Sequence, residues 1–540
     1  MNIYHQLRAV RVLIPVLCLV AYGCNNKPSS TSNTQYKTRE DALLQSPVAG
    51  EPVTDEAKSL TLDKDDGLFE GEGYARIEEN SFLSARQEPL STFAADVDRA
   101  SYSNVRRFLE SGNMPPAGAV RIEELVNYFD YNYPEPTGEH PVAIHTELAD
   151  CPWNASHRLL KVGIQGRRIP TTDLPPSNLV FLVDVSGSMD EPNKLPLVQA
   201  SLHLLTDQLR SADRVAIVTY AGNAGVVLPA TSGNNKQQIH NAIDRLNAGG
   251  STAGGEGIEL AYKIARQQFM KEGNNRVIIA TDGDFNVGVS SEDELVRLIE
   301  HERKSGVYLS VLGFGTGNYQ DSKMQELADK GNGNHAYIDQ LSEARKLLVS
   351  EFAGTLFTIA KDVKIQVEFN PAGVQSYRLI GYENRRMAAS DFRNDEKDAG
   401  EIGSGHTVTA LYEIIPVGVK NDFLQGSDSL RYQQSSSGAR FAGELLTVKV
   451  RYKNPSEEKA KELSRVVYND PLNWQQSSDH FRFAAAVAEF GLLLRESPYR
   501  QQANWPQVLS LARGAKGADP EGFRAGFIDL VQAVPALSKR

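Results

Sequence analysis

The chain has 540 residues, 41% of them hydrophobic and 23% charged, with 57 basic and 68 acidic side chains for a formal net charge of −11. Length and mix suit a folded protein of several domains. The acidic balance argues against a general nucleic-acid binder, which gathers Lys and Arg on one face, and is compatible with a protein that holds cations.

At the N-terminus, Arg8 and Arg11 precede an apolar run over residues 12–20 that ends in Ala21-Tyr22-Gly23-Cys24. A basic start, a short apolar core and a small residue before a cut site make a secretory signal over residues 1–23. A spanning helix needs about 20 apolar residues, more than this run supplies. The cysteine directly after Gly23 makes the segment resemble a bacterial lipoprotein signal. That resemblance implies acylation of the Cys24 thiol and attachment to a membrane of the bacterial cell envelope. Asn25, where inner-membrane lipoproteins carry Asp, implies the outer membrane facing the periplasm in a Gram-negative source. Cys18 leaves with the signal and Cys24 carries lipid, so Cys151 is left without a partner and no intramolecular disulfide is expected. Residues 24–88 hold NNKPSSTSNTQ and scattered charges with few large apolar side chains, which predicts a flexible tether.

Order is expected from Pro89. Residues 101–109 suit a short helix, ended by Gly112 and Pro115-Pro116. Ile122, Leu125, Val126 and Phe129 recur at helical spacing. Asp96 and Asp98 invite comparison with a metal or phosphatase pair, but a turn or cap beside Ser101 explains them more simply. Residues 142–148 and 159–165 alternate as strands. Residues 89–170 thus make an N-terminal extension packed on the core.

Residues 178–190 read NLVFLVDVSGSMD: an apolar run, as of a buried parallel strand, that stops at Asp184. Asp184, Ser186 and Ser188 place three oxygen donors at alternating positions where a strand leaves the sheet, the edge at which open α/β sheets bind ligands. Such a set suits a hard divalent cation. Downstream, GGSTAGGEG over residues 249–257 puts Thr252 in a glycine-rich loop. RVIIATDGD over residues 276–284 is a second apolar strand, ending in Thr281-Asp282-Gly283. The order Asp-x-Ser-x-Ser, Thr, Thr-Asp-Gly resembles the metal-ion-dependent adhesion site of von Willebrand factor type A domains.

Around these motifs strands and helices alternate. Helical faces include Val198, Ser201, Leu202, Leu205 and Leu209, then residues 237–246, 258–269, 324–328 and 341–352. Ser291 with Glu294 forms a capping box for a helix closed by Gly306. Strands fit residues 214–220, 277–281 and 307–314. The fold class is therefore α/β, a doubly wound, mainly parallel sheet over residues 171–357. The resemblance implies that Ser186, Ser188 and Thr252 ligate a metal through hydroxyls, and that Asp184 and Asp282 act directly or through water. Mg2+ is the first choice of ion, with Mn2+ or Ca2+ as alternatives. Uncharged ligands leave the ion under-neutralised, so a partner protein's acidic side chain can complete its shell. No catalytic residue is implied.

From residue 358 the period changes to two. Val363, Ile365, Val367 and Phe369 alternate with polar residues, as do Val408, Ala410, Tyr412 and Ile414, and Leu446, Val448, Val450 and Tyr452. These predict strands with one wet face and a small antiparallel β domain over residues 358–470, interrupted by a charged loop at 383–405. A helical segment over 471–540 follows, one face built from Phe481, Ala484, Ala485, Ala488 and Leu492 and another from Phe523, Phe527, Leu530 and Val531. Both flanks of the type A region resemble those of one group of bacterial lipoproteins.

Two rivals stand beside the metal-bridge expectation. An enzyme of the haloacid dehalogenase type would need a second Asp two positions after Asp184 as general acid, and Ser186 stands there. Gly-x-Ser-x-Gly is absent around Ser186, Ser188 and Ser251, and the ten histidines show no zinc spacing. The other rival is a structural envelope component whose metal site is idle.

Overall fold

The computed structural model describes residues 71–250, 255–283, 292–352, 354, 357–424, 441 and 443–537. Order starts earlier than the composition predicts: residues 71–88, expected as tether, pack on the body. Gly73 bridges to Gln320, Phe82 and Ala85 are buried, and β1 (Leu83–Ser84) pairs with Tyr377 and Ser376. Polar anchors hold this strap in place of an apolar period. Glu72 takes both arms of Arg107 at 3.0 and 2.8 Å, and the Asn80 amide donates to the carbonyls of Leu379 and Gly381.

The strap leads into β2 (Leu90–Ala94), α1 (Ala100–Glu110), α2 (Ile122–Asn127), and the antiparallel pair β3 (Val142–Cys151) and β4 (Asn154–Gly166). Cys151 is buried as a free thiol. The α/β body then runs through β5 (Ser177–Asp184), α3 (Leu195–Gln208), β6 (Arg214–Ala221), β7 (Asn223–Ser232), α4 (Lys236–Ile243) and α5 (Gly255–Gln267). It continues with β8 (Asn274–Thr281), α6 (Glu292–Lys304), β9 (Val307–Phe314), α7 (Asp321–Lys330), β10 (His335–Ile338) and α8 (Leu341–Arg345). The sheet order is β10-β9-β8-β5-β6-β7. All pairings are parallel except that of β7 with β6.

Every residue of β5 is buried, and the pleat divides them between two cores. Leu179, Phe181 and Val183 face α3, α4 and α8. Val180 and Leu182 face α5, α6 and α7. This two-sided burial explains the unbroken apolar run, and it leaves Asp184 where the strand exits. The cap expected at Ser291 lies outside the described residues.

The remaining strands are β11 (Thr358–Phe369), β12 (Val374–Ile380), β13 (Arg386–Met387), β14 (Gly400–Gly403), β15 (Thr407–Pro416), β16 (Glu444–Lys453) and β17 (Lys461–Tyr468). They do not form a domain by themselves. One sheet runs β1-β12-β15-β4-β3 and the other β13-β2-β11-β16-β17, with β14 on β11. The expected division into an extension (89–170) and a β domain (358–470) is therefore corrected. Both segments build one β-sandwich, and the α/β body is inserted between β4 and β11. The expected wet face of β15 is also corrected. Val408, Ala410, Tyr412 and Ile414 fill the sandwich core, while Leu411 joins a second core beneath α2 and the C-terminal helices.

Those helices are α9 (Asp479–Leu494), α10 (Trp505–Gly514) and α11 (Phe523–Leu537). Ser478 caps α9, accepting from the Phe481 amide at 3.1 Å. Instead of one apolar face, α9 is buried nearly all round, Phe483, Val487 and Phe490 included, because α2, α10 and α11 enclose it. Glu489 is 0% exposed there. One oxygen accepts from the Asn504 amide at 3.0 Å and the other has no hydrogen-bond partner among the described residues. Burial pushes its carboxyl up to about 8 from an ordinary 4.5. With the folded value above the unfolded one, proton binding stabilises the fold fully below pH 4.5, and this is lost as pH rises through about 8. Glu489→Gln is expected to melt progressively higher than wild type as pH rises through this window, with the gap closing in acid; thermal melts across the range check it.

Buried arginines lock the pieces together. Arg106 of α1 holds Asp339 and Glu343 at 2.6 and 2.7 Å. Arg121 reaches Glu124 and Asp321 of α7. Arg385 binds Asp98 at 2.9 Å, Asp329 at 2.8 Å and Asp96 at 3.4 Å. Asp96 and Asp98 are thus neither a metal pair nor a helix cap; they are counter-charges for a docking arginine.

Candidate metal-ion site at the carboxyl edge of the central sheet

β5 and β8 are parallel neighbours in register, Val183 beside Ala280, so Asp184 and Asp282 emerge side by side. Both are 0% exposed. The Ser186 amide donates to Asp184 Oδ1 at 2.8 Å. The Thr281 hydroxyl lies 3.5 Å from Oδ2, and the buried Tyr220 side chain lies close to this carboxylate. Ser186 is buried, Ser188 is exposed, and their hydroxyl oxygens are 3.0 Å apart. The cluster is closed towards the sheet and opens to solvent at Ser188.

Burial pushes Asp184 up to about 6, opposed by the Ser186 hydroxyl and amide and helped by the Asp282 charge. Asp282 Oδ2 accepts from Lys194 Nζ at 3.1 Å, whereas Oδ1 is buried with no hydrogen-bond partner among the described residues. Lys194 is 3% exposed, and its stem lies across Gly315. A Cβ on Gly315 would fall 2.5 Å from Lys194 Cγ and Cε, so only glycine leaves the lysine this path. Gly283 has φ +112°, and a Cβ there would fall 2.4 Å from the Asn318 carbonyl oxygen. That explains why glycine follows Asp282.

Thr252 lies outside the described residues, as does Cys24. The described start of the Thr252 loop is nevertheless tied to the Asp184 loop. Gly249 N donates to the Val185 carbonyl at 2.7 Å, and Gly187 N donates to the Gly250 carbonyl at 3.2 Å. Asp184, Ser186, Ser188 and Asp282 are therefore gathered in one place. Lys194 and Tyr220 belong to the same cluster and were missed. A lone lysine closing an otherwise acidic loop, Asp190-Glu191-Pro192-Asn193-Lys194, was the available signal for the first. For Tyr220, a buried aromatic at a strand end, the sequence carries none.

The donors present are hydroxyls and carboxylates, a hard set of the kind that takes Mg2+, Mn2+ or Ca2+. Among the described residues no group of three or more His, Cys, Asp or Glu converges as a metal site, so an ion held by these residues would need the hydroxyls. The unpartnered Asp282 Oδ1 fits such an ion: a buried carboxylate oxygen without a partner is costly.

A family model described as von Willebrand factor type A domain matches residues 178–351. Models described as von Willebrand factor and as Uncharacterized protein YfbK, C-terminal, match residues 68–161 and 354–537. The Uncharacterized protein YfbK of Escherichia coli (strain K12) is 46% identical over 474 residues, which is 86% of this chain and 81% of that protein. The chain belongs to the YfbK family. A second relative, the Uncharacterized protein sll0103 of Synechocystis sp., is 29% identical over 189 residues, 35% of this chain and 44% of its own length. Among solved structures, a von Willebrand factor type A protein from Catenulispora acidiphila aligns with a TM-score of 0.40 at 15% identity, covering 72% of this chain and 89% of its own. Within this YfbK-family chain, the type A match coincides with the inserted α/β body, and the residues Asp184 to Asp282 fall inside it.

Proposed function

We propose that this YfbK-family chain is a non-catalytic, lipid-anchored protein of the bacterial cell envelope that binds a partner protein through a divalent cation at the strand-end cluster. The buried Asp282 Oδ1, unpartnered among the described residues, in a cluster that opens to solvent at Ser188, supports this most. Asp184, Ser186, Ser188, Thr252 and Asp282 would hold the ion, Mg2+ before Mn2+ or Ca2+. The bound ion would supply a positive charge with coordination positions open to an outside ligand.

The chain's own residues set the sign of that ligand. The Asp184 and Asp282 carboxylates and the Lys194 ammonium sum to one net negative charge. A bound dication would reverse this to one net positive charge, which an incoming Asp or Glu side chain would neutralise. The Ser186 amide and the Thr281 hydroxyl hold the Asp184 carboxylate in orientation. Among the described residues neither serine is hydrogen-bonded to a histidine, and the Ser188 hydroxyl meets the Ser186 hydroxyl at 3.0 Å. Membrane attachment would rest on the signal at residues 1–23 and on Cys24, and Asn25 favours the outer membrane facing the periplasm in a Gram-negative cell. The net charge of −11 speaks against a nucleic-acid partner.

Lys194 also favours a second reading, in which its ammonium takes the place of the ion and the protein serves as a structural envelope component. Capture from an envelope extract by the full chain separates the two. The expected result is a partner retained in Mg2+, released by chelator and not retained by Asp184→Asn. Retention indifferent to chelator and to the substitution overturns the metal bridge.

A further inference from the structure

A second cluster of metal-ligating side chains lies on the outer helices of the α/β body. The spacing His-x-x-x-Asp links His203 to Asp207 and His240 to Asp244. His203 and Asp207 lie on α3, His240 lies on α4, and Asp244 directly follows α4. The two helices pack side by side, with the Gln199 amide of α3 donating to the carbonyls of Ile243 and Leu246.

The four side chains cross-pair. His203 Nε2 meets Asp244 Oδ1 at 3.0 Å, and His240 Nε2 meets Asp207 Oδ1 at 3.2 Å. A carboxylate can only accept, so both Nε2 atoms carry the proton. In the neutral rings both Nδ1 atoms are then bare lone pairs. These two atoms face each other at 2.6 Å. The ring centroids are 4.8 Å apart and the planes within 26°, so the rings meet nearly end to end with their lone pairs opposed. Two acceptors at that distance repel unless a positive charge lies between them.

We propose that His203 and His240 form a binding site for a late first-row transition-metal ion of the Zn2+ class, distinct from the strand-end cluster. Imidazole nitrogens suit Zn2+, Cu2+ and Ni2+ rather than Mg2+. Metal-bound histidines characteristically give their outer N–H to a carboxylate, which fixes the tautomer and raises ligand basicity. Here both rings are held in this way, each by the aspartate of the opposite helix. A proton shared between the two Nδ1 atoms would fit the same tautomers, so a wild type that takes up no Zn2+ assigns the gap to a proton and overturns the metal site. Asp207 and Asp244 add two negative charges around the gap. Zn–N bonds of about 2.0–2.1 Å require the two nitrogens to part slightly. The histidine side chains are 33% and 24% exposed, so rotation provides the room. No third His, Cys, Asp or Glu of the described residues converges on the gap, so water completes the shell and the site is open. An ion there would staple α3 to α4. The 37-residue separation of the two histidines is why no zinc spacing is visible in the chain.

Titration of the full chain with Zn2+, in Mg2+ at saturating concentration, tests this. One Zn2+ per chain is expected. His203→Gln and His240→Gln each abolish uptake, and Asp207→Asn and Asp244→Asn each weaken it roughly tenfold or more. His203→Gln should keep the Mg2+-induced rise in melting temperature, so its loss of Zn2+ uptake reports the histidine pair and not a failure to fold. Absence of Zn2+ uptake by the wild type, or uptake unchanged in both histidine variants, overturns the proposal.

Discussion

In the full chain, Asp184→Asn removes the rise in melting temperature that Mg2+ gives the wild type. A ligand that binds only the native state stabilises it by RT ln(1 + [L]/Kd), about 2.7 kcal/mol at a hundredfold excess over Kd, and the wild type is expected to show a gain of that order. The variant keeps the shape of the side chain and an oxygen to accept the Ser186 amide, but not the charge. Burial already pushes the Asp184 carboxyl up to about 6, so at neutral pH the metal-free wild type carries a charge that its surroundings disfavour. Replacing it relieves that penalty. The metal-free variant is therefore expected to melt no lower than metal-free wild type while its response to Mg2+ is lost. Thermal melts of both chains with Mg2+ and with chelator check it. A wild type that ignores Mg2+, or a variant that responds equally, removes the basis for a metal at this edge.

The legible part of this protein was local. Asp184, Ser186, Ser188 and Asp282 could be read because each terminates or follows an apolar run whose two-sided burial is written in consecutive residues. Lys194 could not, because its role depends on a lateral contact with the end of β8, 88 positions away. The sandwich was harder still. Alternation over β11 and β15 announces strands but not their partners, and those are remote. Lys364 pairs with Ala94, and Tyr412 pairs with Leu160. A period of two is equally satisfied by any neighbour, so the insertion of the α/β body between β4 and β11 left no trace in the pattern. Residues 71–88 failed for a different reason. Composition measures whether a segment can bury apolar surface, and this strap is held by Glu72 and Asn80 through polar contacts instead. The interleaving has a practical consequence. Removing residues 358–540 would strip β2, β3 and β4 of their sheets, so point substitutions, not truncation, must separate the roles of the two parts.

Lys194→Met is expected to make the protein depend on its metal. The ammonium is 3% exposed and sits 3.1 Å from Asp282 Oδ2; Glu191, 3.8 Å away, is its other carboxylate neighbour. Methionine can follow the same path across Gly315 without its charge. Asp282 would then stay buried beside Asp184 with no cation near either, and breaking a buried pair from one side costs about 3–5 kcal/mol. In chelator the variant should therefore melt well below wild type. Mg2+ should have the opposite effect. The two carboxylates now face the ion without a competing ammonium, so attraction is stronger and the rise in melting temperature on adding Mg2+ exceeds that of wild type. A lysine that merely fills space, or that permanently replaces the ion, predicts something else: a variant that melts low and stays low whatever the Mg2+ concentration. Parallel melts of wild type and variant across a Mg2+ series decide the matter, and equal or smaller increments in the variant would rule out competition between the lysine and a metal for Asp282.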